Sequence, residues 1–239
     1  MSKRVSVVVP LFNEEDGLEL LADRLAFLRE RLAPQYELEC VLVDDGSQDR
    51  TQERLRDHFD GASNVVTVSH GRNRGAGAAI RTGFQNATGE IVCTIDADCT
   101  FDPVDLVRLL RALEETDADI AIGSPYHPQG RVENVHPWRL FLSRGASWVY
   151  RRVCRGKLYS YTSFLRAYRR RVVERVPFEA DGFVAVTEHL LRALNQDYRA
   201  VEVPVVLRRR VTGVSKMNVV RNVAAHLRLA SQSLVWRFL

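Results

Sequence analysis

The chain of 239 residues is 46% hydrophobic and 27% charged, which is the composition of a folded globular protein and excludes a disordered one. Its four cysteines show neither the spacing of a zinc site nor that of a disulfide framework, so we expect reduced thiols in a cytosolic setting. The first residues hold too short an apolar run for a signal peptide, and no stretch reaches the roughly 18 apolar residues that span a membrane.

The net charge of +4 is divided unevenly along the chain. Residues 1–133 carry 14 Lys and Arg against 24 Asp and Glu, whereas residues 134–239 carry 20 against 6. This asymmetry predicts an anionic partner for the second half, either a nucleic acid or a membrane surface, although a solvated basic face would give the same pattern. Because no nucleic-acid-binding module is recognisable, we expect a membrane surface and no nucleic acid.

In the first half of the chain, short β-branched segments alternate with longer amphipathic ones. The predicted strands are 5–10, 38–44, 64–69, 90–95 and 118–123. Helices are predicted between them, at 14–32, after the capping residues Ser47 and Asp49, at 76–86, and from Asp102-Pro103 onward. Continuous apolar strands separated by helices predict an α/β fold with a mostly parallel central sheet and helices on both faces.

The alternation changes after Gly123. A loop over 124–137 precedes a helical pattern, a basic run, a helix near 184–195 and a strand over 200–209. Since the sequence contains no internal repeat and no low-complexity linker, we expect this half to extend the same sheet rather than to form a separate domain.

Several conspicuous residues fall where the predicted parallel strands end, which is the edge at which such sheets bind ligands. They are Pro10, Asp44, Asp45, Asp96 and Asp98. Asp96 and Asp98 lie two positions apart on an extended segment, so their side chains point the same way. Together they suit one oxygen-preferring cation, Mg²⁺ or Mn²⁺, held largely by the phosphates of a ligand. A solvated turn or a helix cap is the alternative, since Asp102 follows shortly.

Two glycine-containing segments also follow predicted strands. In the segment DDGS at 44–47, a carboxylate can accept a nucleobase N–H, and pure turn chemistry is the alternative. The segment GAGAA at 75–79 imitates a dinucleotide fingerprint, but it follows the third strand, and Ile80 stands where the third small residue should be. A close-packed helix start near a sugar nucleotide fits this segment better.

Several of these motifs, taken in order, carry a resemblance. VVPLFNEE, VLVDDGSQDRT, NRGAGAAIRTGF, GEIVCTIDAD and ADIAIGS together resemble an inverting family-2 glycosyltransferase with the GT-A nucleotide-sugar fold. VENVHPWR, FLSRGAS, TSFLRAYRR and RRRVTGVSK are similar to the dolichol-phosphate mannosyltransferase type, which loads a sugar onto a polyprenyl phosphate. The resemblance covers about residues 4–220.

The resemblance implies donor-site residues at matching positions. The nucleotide pocket would be lined by Pro10, Phe12, Glu14, Asp44 and Asp45, and the last of these would face the base. The metal and the diphosphate would be held by Asp96 and Asp98, with Thr100 near a third ligand position. The donor phosphates would be covered by a closing segment that contains Arg210, Ser215 and Lys216.

The resemblance also implies an acceptor site. Arg144 would meet the acceptor phosphate, and Glu188 would supply an active-site carboxylate. The residues with implied catalytic roles are therefore Asp98, Arg144 and Glu188. Two departures from the family pattern concern this side of the site: Pro125 replaces an Arg, and Ser160 and Phe164 replace an Asp and a Gly.

The implied activity is a metal-dependent, inverting transfer of a sugar from a GDP- or UDP-linked donor to a polyprenyl phosphate. A phosphate acceptor needs no strong general base, whereas a hydroxyl acceptor would need one, for which Glu188 is the candidate. A structural carboxylate that caps a turn or pairs with Arg192 is the other interpretation of Glu188. The alternative functions are a transferase acting on a saccharide or another hydroxyl, and a catalytically silent nucleotide-sugar-binding subunit.

The implied organisation is a glycosyltransferase domain over 1–215, with a nucleotide-sugar half at 1–123 and an acceptor half at 124–215, followed by an amphipathic helix over 216–239. An apolar stripe on that helix consists of Met217, Val220, Ala224, Leu227, Ser231, Leu234 and Phe238. The stripe predicts peripheral attachment to the cytoplasmic face of a membrane. The alternatives are that this helix docks on the protein's own core, or that it contacts a second copy in a homo-oligomer or a membrane partner subunit.

Overall fold

Strands and helices alternate through the first half of the chain, as predicted. The computed structural model describes residues 3–154, 156–213 and 219–236. The strands of this half are β1 (Lys3–Leu11), β2 (Tyr36–Asp44), β3 (Val65–Ser69), β4 (Ile91–Thr94) and β5 (Ile120–Ser124). The helices are α1 (Leu18–Leu32), α2 (Thr51–Phe59), α3 (Ala76–Asn86) and α4 (Leu106–Glu115), the last preceded by a 3₁₀ turn at Pro103–Asp105.

Within the described residues, the second half adds shorter strands and four helices. The strands are β6 (Arg131–Glu133), β7 (Arg166–Arg169), β8 (Ala200–Pro204) and β9 (Val206–Arg208). The helices are α5 (Pro137–Val153), α6 (Arg170–Arg175), α7 (Ala185–Asn195) and α8 (Val219–Trp236). The single strand predicted over 200–209 is therefore two strands, β8 and β9, which belong to different sheets. Pro204 stands at the break and has no N–H to continue a ladder.

The central sheet has seven strands in the order β3-β2-β1-β4-β7-β5-β8. β1 pairs in parallel with β2 and β4, β2 pairs in parallel with β3, and β5 pairs in parallel with β8. β7 is antiparallel to both of its neighbours, β4 and β5. The sheet is thus mostly parallel, which confirms the predicted α/β fold. The predicted boundary between the two halves at 123/124, and that between the domain and the last helix at 215/216, stay predictions. Strands β7 and β8 of the second half complete a sheet begun by the first half.

Alternate residues of β1 face two different hydrophobic layers. Val5, Val7 and Val9 pack in the layer of α1 and α4, while Val8 packs in the layer of α3 on the opposite face. The buried face of α1 is a run of leucines at helical spacing, namely Leu18, Leu21, Leu25, Leu28 and Leu32. A Cβ on Gly83 would lie 2.1 Å from Val8 Cγ1, so only glycine lets α3 approach β1 this closely.

Two predicted helix starts can be compared with the structure. Asp102 caps the turn before α4 as predicted, because its Oδ1 accepts a hydrogen bond from Val104 N at 3.1 Å. The N-cap of α2 is Arg50, without a side-chain bond, rather than Ser47 or Asp49. Asp49 nevertheless supports the first turn, since its Oδ1 accepts from Thr51 N at 3.0 Å.

Helix α8 packs on the protein through the face opposite to the predicted apolar stripe. Leu229, Ala230 and Ser233 are buried, whereas Val220, Leu227 and Leu234 are 80%, 64% and 45% exposed. Met217 and Phe238, the ends of the stripe, lie outside the described residues. Of the helices within 3–154, 156–213 and 219–236, none has the length and hydropathy of a membrane-spanning segment.

Candidate active site

The carboxyl ends of the parallel strands bring the predicted donor-site residues to one edge of the sheet. Leu11 at the end of β1 is paired with Asp44 at the end of β2, which in turn is paired with Ser69 at the end of β3. β4 ends at Thr94, two residues before the first aspartate of the DxD segment 96–98. The site is therefore assembled from loops that follow neighbouring strands, as expected for a parallel sheet.

The loop after β1 is tied to the loop after β2 by hydrogen bonds. Asn13 N donates to Ser47 Oγ at 2.9 Å, and Glu14 N donates to Thr51 Oγ1 at 2.8 Å. Asn13 has a φ of 53°, a left-handed conformation that asparagine tolerates well. Pro10 and Phe12, the other predicted lining residues, are half-buried on the same segment. The two loops thus form one fixed wall of the site.

Three carboxylates and one guanidinium meet beside the DxD segment. Arg210 Nη2 pairs with Glu14 Oε2, and Arg210 Nη1 lies 3.8 Å from Asp98 Oδ2. Burial raises the pKa of Asp96 well above its usual value, the nearby carboxylates of Asp98 and Glu14 raise it further, and Arg210 offsets part of the effect. A buried aspartate whose pKa is raised, beside two further carboxylates, marks a place where a further cation would be stabilising.

The donor set fits a divalent cation that is shared with a ligand. In the part of the chain that the structure describes, no group of three or more His, Cys, Asp and Glu side chains is arranged to hold a metal alone. Asp96 and Asp98 offer two carboxylates, and Glu14 is paired with Arg210. One or two carboxylates completed by phosphate oxygens is a common way for proteins to bind Mg²⁺.

Thr100 lies in the turn that follows the two aspartates. Its backbone N donates to Asp98 Oδ1 at 3.1 Å, and its carbonyl oxygen accepts from Arg208 N at 2.9 Å. The second bond places the end of β9 alongside the DxD segment, which explains how Arg210 reaches Asp98. Ser215 and Lys216, the other predicted residues of the closing segment, lie outside the described residues.

Asp44 and Asp45 are both buried and are both engaged within the protein. Asp45 Oδ1 accepts from Arg74 N at 2.9 Å and lies 2.7 Å from His70 Nδ1, while its Oδ2 accepts from Gly75 N at 2.7 Å. Asp45 therefore fixes the loop between β3 and α3. Asp44 Oδ1 accepts from Ser47 N at 3.1 Å, which is the turn chemistry considered as the alternative for this segment.

Two residues of this region were missed by the sequence reasoning. His70 lies next to Asp45 and also 2.9 Å from Thr82 Oγ1, and Gln52 donates to Asp44 Oδ2 at 2.8 Å. These contacts join residues 25, 12 and 8 positions apart, so none of them has a local sequence signal. Only the position of His70, directly after the strand β3, would have drawn attention to it.

The start of α3 is close-packed, as the GAGAA segment predicts. Gly77 N donates to Asp181 O at 2.6 Å, and a Cβ on Gly77 would lie 2.2 Å from Ala180 O. Arg81 holds the same turn, since its Nη1 donates to Ala180 O at 2.8 Å. The turn over 179–181 is thus pressed onto the first turn of α3.

Glu188 holds that turn from the other side. It is buried in α7, where its Oε2 accepts from Ala180 N at 2.8 Å and from Glu179 N at 3.2 Å. Its Oε1 accepts from Arg192 Nε at 2.7 Å. These contacts are those of a capping carboxylate paired with Arg192, which was the second interpretation of this residue.

Arg144 projects from the exposed side of α5. Its guanidinium carbon lies 5.1 Å from the centroid of the Tyr126 ring, a distance typical of a cation–π contact. Burial raises the pKa of Tyr126 above its usual value. The adjacent Ser143 Oγ lies 2.7 Å from Thr162 Oγ1, so hydroxyl groups border the same region. The contact places the charge of Arg144 beside Tyr126, and its role at an acceptor site stays a prediction.

The three positions that depart from the family pattern are built into the interior. Pro125 and Phe164 are buried, and Phe164 packs edge-on against Phe183 with ring centroids 5.9 Å apart. Ser160 is buried as well, and its backbone N donates to Glu202 Oε1 at 2.8 Å. None of these three residues offers a charged group to a ligand.

Comparison with known proteins agrees with the motifs. Residues 6–176 match the sequence profile of the family described as Glycosyl transferase family 2. The chain is 34% identical over 225 residues to a polyprenol monophosphomannose synthase of Mycolicibacterium smegmatis, a match that covers 91% of this chain and 82% of that protein. It is 33% identical over 217 residues to a dolichol-phosphate mannosyltransferase of Pyrococcus furiosus, covering 90% of this chain but only 59% of that protein.

A solved structure supports the fold. Glucosyl-3-phosphoglycerate synthase of Mycobacterium tuberculosis, in complex with Mn²⁺, UDP and phosphoglyceric acid, superimposes with a TM-score of 0.70. The two sequences are 20% identical, and the match covers 98% of this chain and 78% of that chain. At this identity the likeness concerns the fold alone, and it confirms the predicted GT-A architecture.

Proposed function

The chain belongs to glycosyltransferase family 2, and we propose that it transfers a sugar from a nucleotide sugar to a polyprenyl phosphate at a membrane surface. The observation that carries the proposal is the meeting of Asp96, Asp98 and Arg210 at the carboxyl edge of the sheet. A divalent cation held by these carboxylates, together with the fixed guanidinium of Arg210, would neutralise the negative charge of the departing nucleoside diphosphate. The acceptor class is proposed from the two relatives, whose names specify polyprenol and dolichol phosphate.

On the donor side, Asp96 and Asp98 would hold Mg²⁺ or Mn²⁺ together with the diphosphate of a GDP- or UDP-linked sugar. When bound, the cation supplies charge neutralisation for the leaving group. Arg210 would add a second positive charge, because its contact with Asp98 places the guanidinium beside the residues that would hold the cation. Ser215 and Lys216 continue that segment, and Pro10 and Phe12 would flank the nucleotide.

On the acceptor side, Arg144 would bind the acceptor phosphate while Tyr126 supports its guanidinium. A phosphate monoester is largely ionised near neutral pH, so it can attack the anomeric carbon without a strong general base. The contacts of Glu188 agree with this account, since both of its carboxylate oxygens already bond within the protein. Glu188 would then be a positioning residue for the turn at 179–181.

The membrane surface is proposed from two adjacent exposed helix faces. On α5, Trp138, Phe141 and Trp148 are 44%, 77% and 58% exposed, and they recur at helical spacing. α8 packs beside α5 and exposes its own apolar stripe. Arg152 stacks on Trp148, with its guanidinium carbon 4.1 Å from the ring centroid. Aromatic side chains bordered by arginine are typical of helices that lie in the lipid interface.

A hydroxyl acceptor is the second candidate, and one observation favours it. Pro125 and Ser160 leave the acceptor side with fewer charged groups than the family pattern provides, and a saccharide needs fewer charges than a phosphate. This candidate requires a general base, and Glu188 could serve only if its bonds to Ala180 N and Arg192 were released.

The deciding experiment presents matched acceptors to the purified protein. GDP- and UDP-linked sugars are incubated with Mn²⁺ and with a polyprenyl phosphate, the corresponding free polyprenol, or simple saccharides. The proposal expects a glycosylated lipid from the polyprenyl phosphate alone. A product from the free polyprenol or from a saccharide, with none from the phosphate, would favour the hydroxyl acceptor.

A further inference from the structure

A cavity of about 390 Å³ opens at the carboxyl ends of β2 and β3. It lies between the turn that follows Asp45 and the loop that carries His70. Its lining residues are Gly46, Ser47, Gln48, Gln52, Ser69, His70, Gly71, Arg72 and Asn73. The volume suits a small planar ligand, and the lining residues are glycines or carry polar side chains.

The amide of Gln52 is held in one orientation within this cavity. Its Nε2 donates to Asp44 Oδ2 at 2.8 Å and to Ser69 Oγ at 2.8 Å, so both hydrogens of the amide are used. Ser69 Oγ in turn lies 3.2 Å from Asp44 Oδ2, to which it donates its own hydrogen. A carboxylate only accepts hydrogen bonds, so a flipped amide would set Gln52 Oε1 against Asp44 and be repelled.

This arrangement gives the wall formed by Gln52 an acceptor and no donor. Asp44 is buried and does not line the cavity, and its two carboxylate oxygens accept from Ser47 N, Gln52 Nε2 and Ser69 Oγ. Gln52 is exposed and lines the cavity, so its carbonyl oxygen is the group that meets a ligand there. The negative charge of Asp44 thus acts through Gln52 rather than on the ligand directly.

We infer that Gln52, oriented by Asp44, selects the base of the nucleotide donor by accepting a ring N–H. The inference rests on the proposed function, which makes the ligand of this edge a nucleoside diphosphate sugar. Guanine presents N1–H and uracil presents N3–H on the edge that such an acceptor contacts. Adenine and cytosine present a lone pair at the corresponding nitrogen, so they would face Gln52 Oε1 with acceptor against acceptor. Gln52 and Asp44 together therefore favour the binding of GDP and UDP over that of ADP and CDP.

The magnitude follows from the cost of a mismatched polar contact. An acceptor that is desolvated without a donor costs about 1–3 kcal/mol, which corresponds to roughly 5- to 150-fold in affinity. The cavity is open to solvent, so we expect the lower part of this range. Gln52 is a specificity-determining residue on this account, and Asp44 is the positioning residue that prevents the amide from flipping.

The test is a calorimetric titration of the full chain with GDP, UDP, ADP and CDP, each in the presence of Mn²⁺. The wild type is expected to bind GDP or UDP about five- to tenfold more tightly than ADP and CDP. Q52L removes the acceptor and should reduce this ratio by weakening the preferred base. D44N gives the amide of Gln52 a neighbour that both donates and accepts, so the amide can flip and the ratio should approach one.

Q85L is the matched control. Gln85 is an exposed glutamine near the end of α3 and does not line the cavity. Q85L should keep the wild-type ratio of affinities. Equal binding of all four nucleotides by the wild type, or an unchanged ratio in both Q52L and D44N with native thermal unfolding, would overturn the inference while leaving the proposed function intact. If none of the four nucleotides binds, the proposed function itself fails, and the inference fails with it.

Discussion

Arg210 is paired with Glu14 across the donor edge of the sheet, although 196 positions separate the two residues in the chain. The same guanidinium contacts Asp98 and donates from its Nε to Thr212 O at 2.6 Å. The segment that follows β9 is thereby joined to the loop that follows β1. A single positive charge is placed where negative charge would build up on a leaving diphosphate.

Removing that charge should slow transfer. R210Q is expected to lower kcat by about 10²-fold, since groups that stabilise developing charge have effects of this size. R208Q is the matched control, because Arg208 lies two residues earlier, at the end of β9, and pairs at 3.4 Å with Glu133 of β6 on a partly exposed surface. Both variants are assayed for transfer and for thermal unfolding. Equal loss in R208Q and R210Q would show that the effect comes from the segment and not from the charge.

Glu188 provides a test of the ionised-acceptor account. E188Q keeps the shape of the side chain and should retain transfer to a polyprenyl phosphate within about tenfold, without a new limb in the pH–rate profile. A general base would instead contribute about 10²–10⁴ in rate. R192M removes the partner of Glu188 Oε1 and should resemble E188Q in both rate and stability. Near-total loss of transfer in E188Q alone would contradict the account.

The exposed faces of α5 and α8 should bind anionic lipid. We expect the protein to sediment with vesicles rich in anionic phospholipid at low salt and to be released at high salt, because each Lys or Arg near the surface contributes ~1 kcal/mol. Replacing Phe141 and Trp148 with serine, or removing the residues after Asn218, should weaken this binding. Transfer to a lipid-linked acceptor should fall in the truncated form while donor binding survives.

A phenylalanine elsewhere on the surface serves as the control for this experiment. Phe27 on α1 is 38% exposed and lies outside the α5–α8 surface, so F27S should bind vesicles as the wild type does. If the truncated protein and the Phe141 and Trp148 variants all sediment like the wild type, these helices do not form the membrane surface.

His189 should make the fold sensitive to acid. Its ring is buried in α7 among Phe84, Tyr168 and Phe178, with centroids 5.0 to 5.5 Å apart, and burial lowers its pKa to about 3. The unfolded chain therefore binds a proton below pH ~6.5 that the folded chain does not. The contribution of His189 to the free energy of unfolding should be fully present above this pH. It should fall by about 2 kcal/mol by pH 5.

Urea unfolding at pH 7.5 and pH 5 measures this effect. H189Q should be less stable than the wild type at pH 7.5 because it loses the aromatic contacts, yet it should lose less stability between the two values of pH. H58Q, at an exposed position on α2, should keep the wild-type dependence. His226 adds to the wild-type effect in the same direction, since burial lowers its pKa to about 4. An identical acid loss in H189Q and the wild type would contradict the assignment.

Most of the fold could be predicted from local patterns in the sequence. The leucines of α1 repeat at helical spacing, and the valines of β1 form a continuous apolar run, so each element follows from its own residues. Asp96 and Asp98 could be identified as a ligand site because a strand end and a DxD spacing are both local features. The predicted parallel sheet followed from the order of these elements.

Contacts between distant segments could not be predicted in this way. The basic run that contains β7 lies antiparallel between β4 and β5, a partner choice that no local periodicity determines. Apolar alternation continues across Pro204, so the pattern did not reveal that β8 and β9 pair in different sheets. The bonds of Asp45 to His70 and of Asp44 to Gln52 join residues 25 and 8 positions apart and depend on how the loops fold over the sheet.

The most direct test combines the acceptor with the metal site. Lipid extracts are analysed by mass spectrometry after the protein is incubated with a nucleotide sugar, a polyprenyl phosphate and Mn²⁺. The account predicts a polyprenyl-phosphate sugar from the wild type, its loss in excess chelator, and a reduction of at least about 10²-fold in D98N, which should unfold at a temperature close to that of the wild type. Full transfer in excess chelator, or undiminished transfer by D98N, would contradict the account.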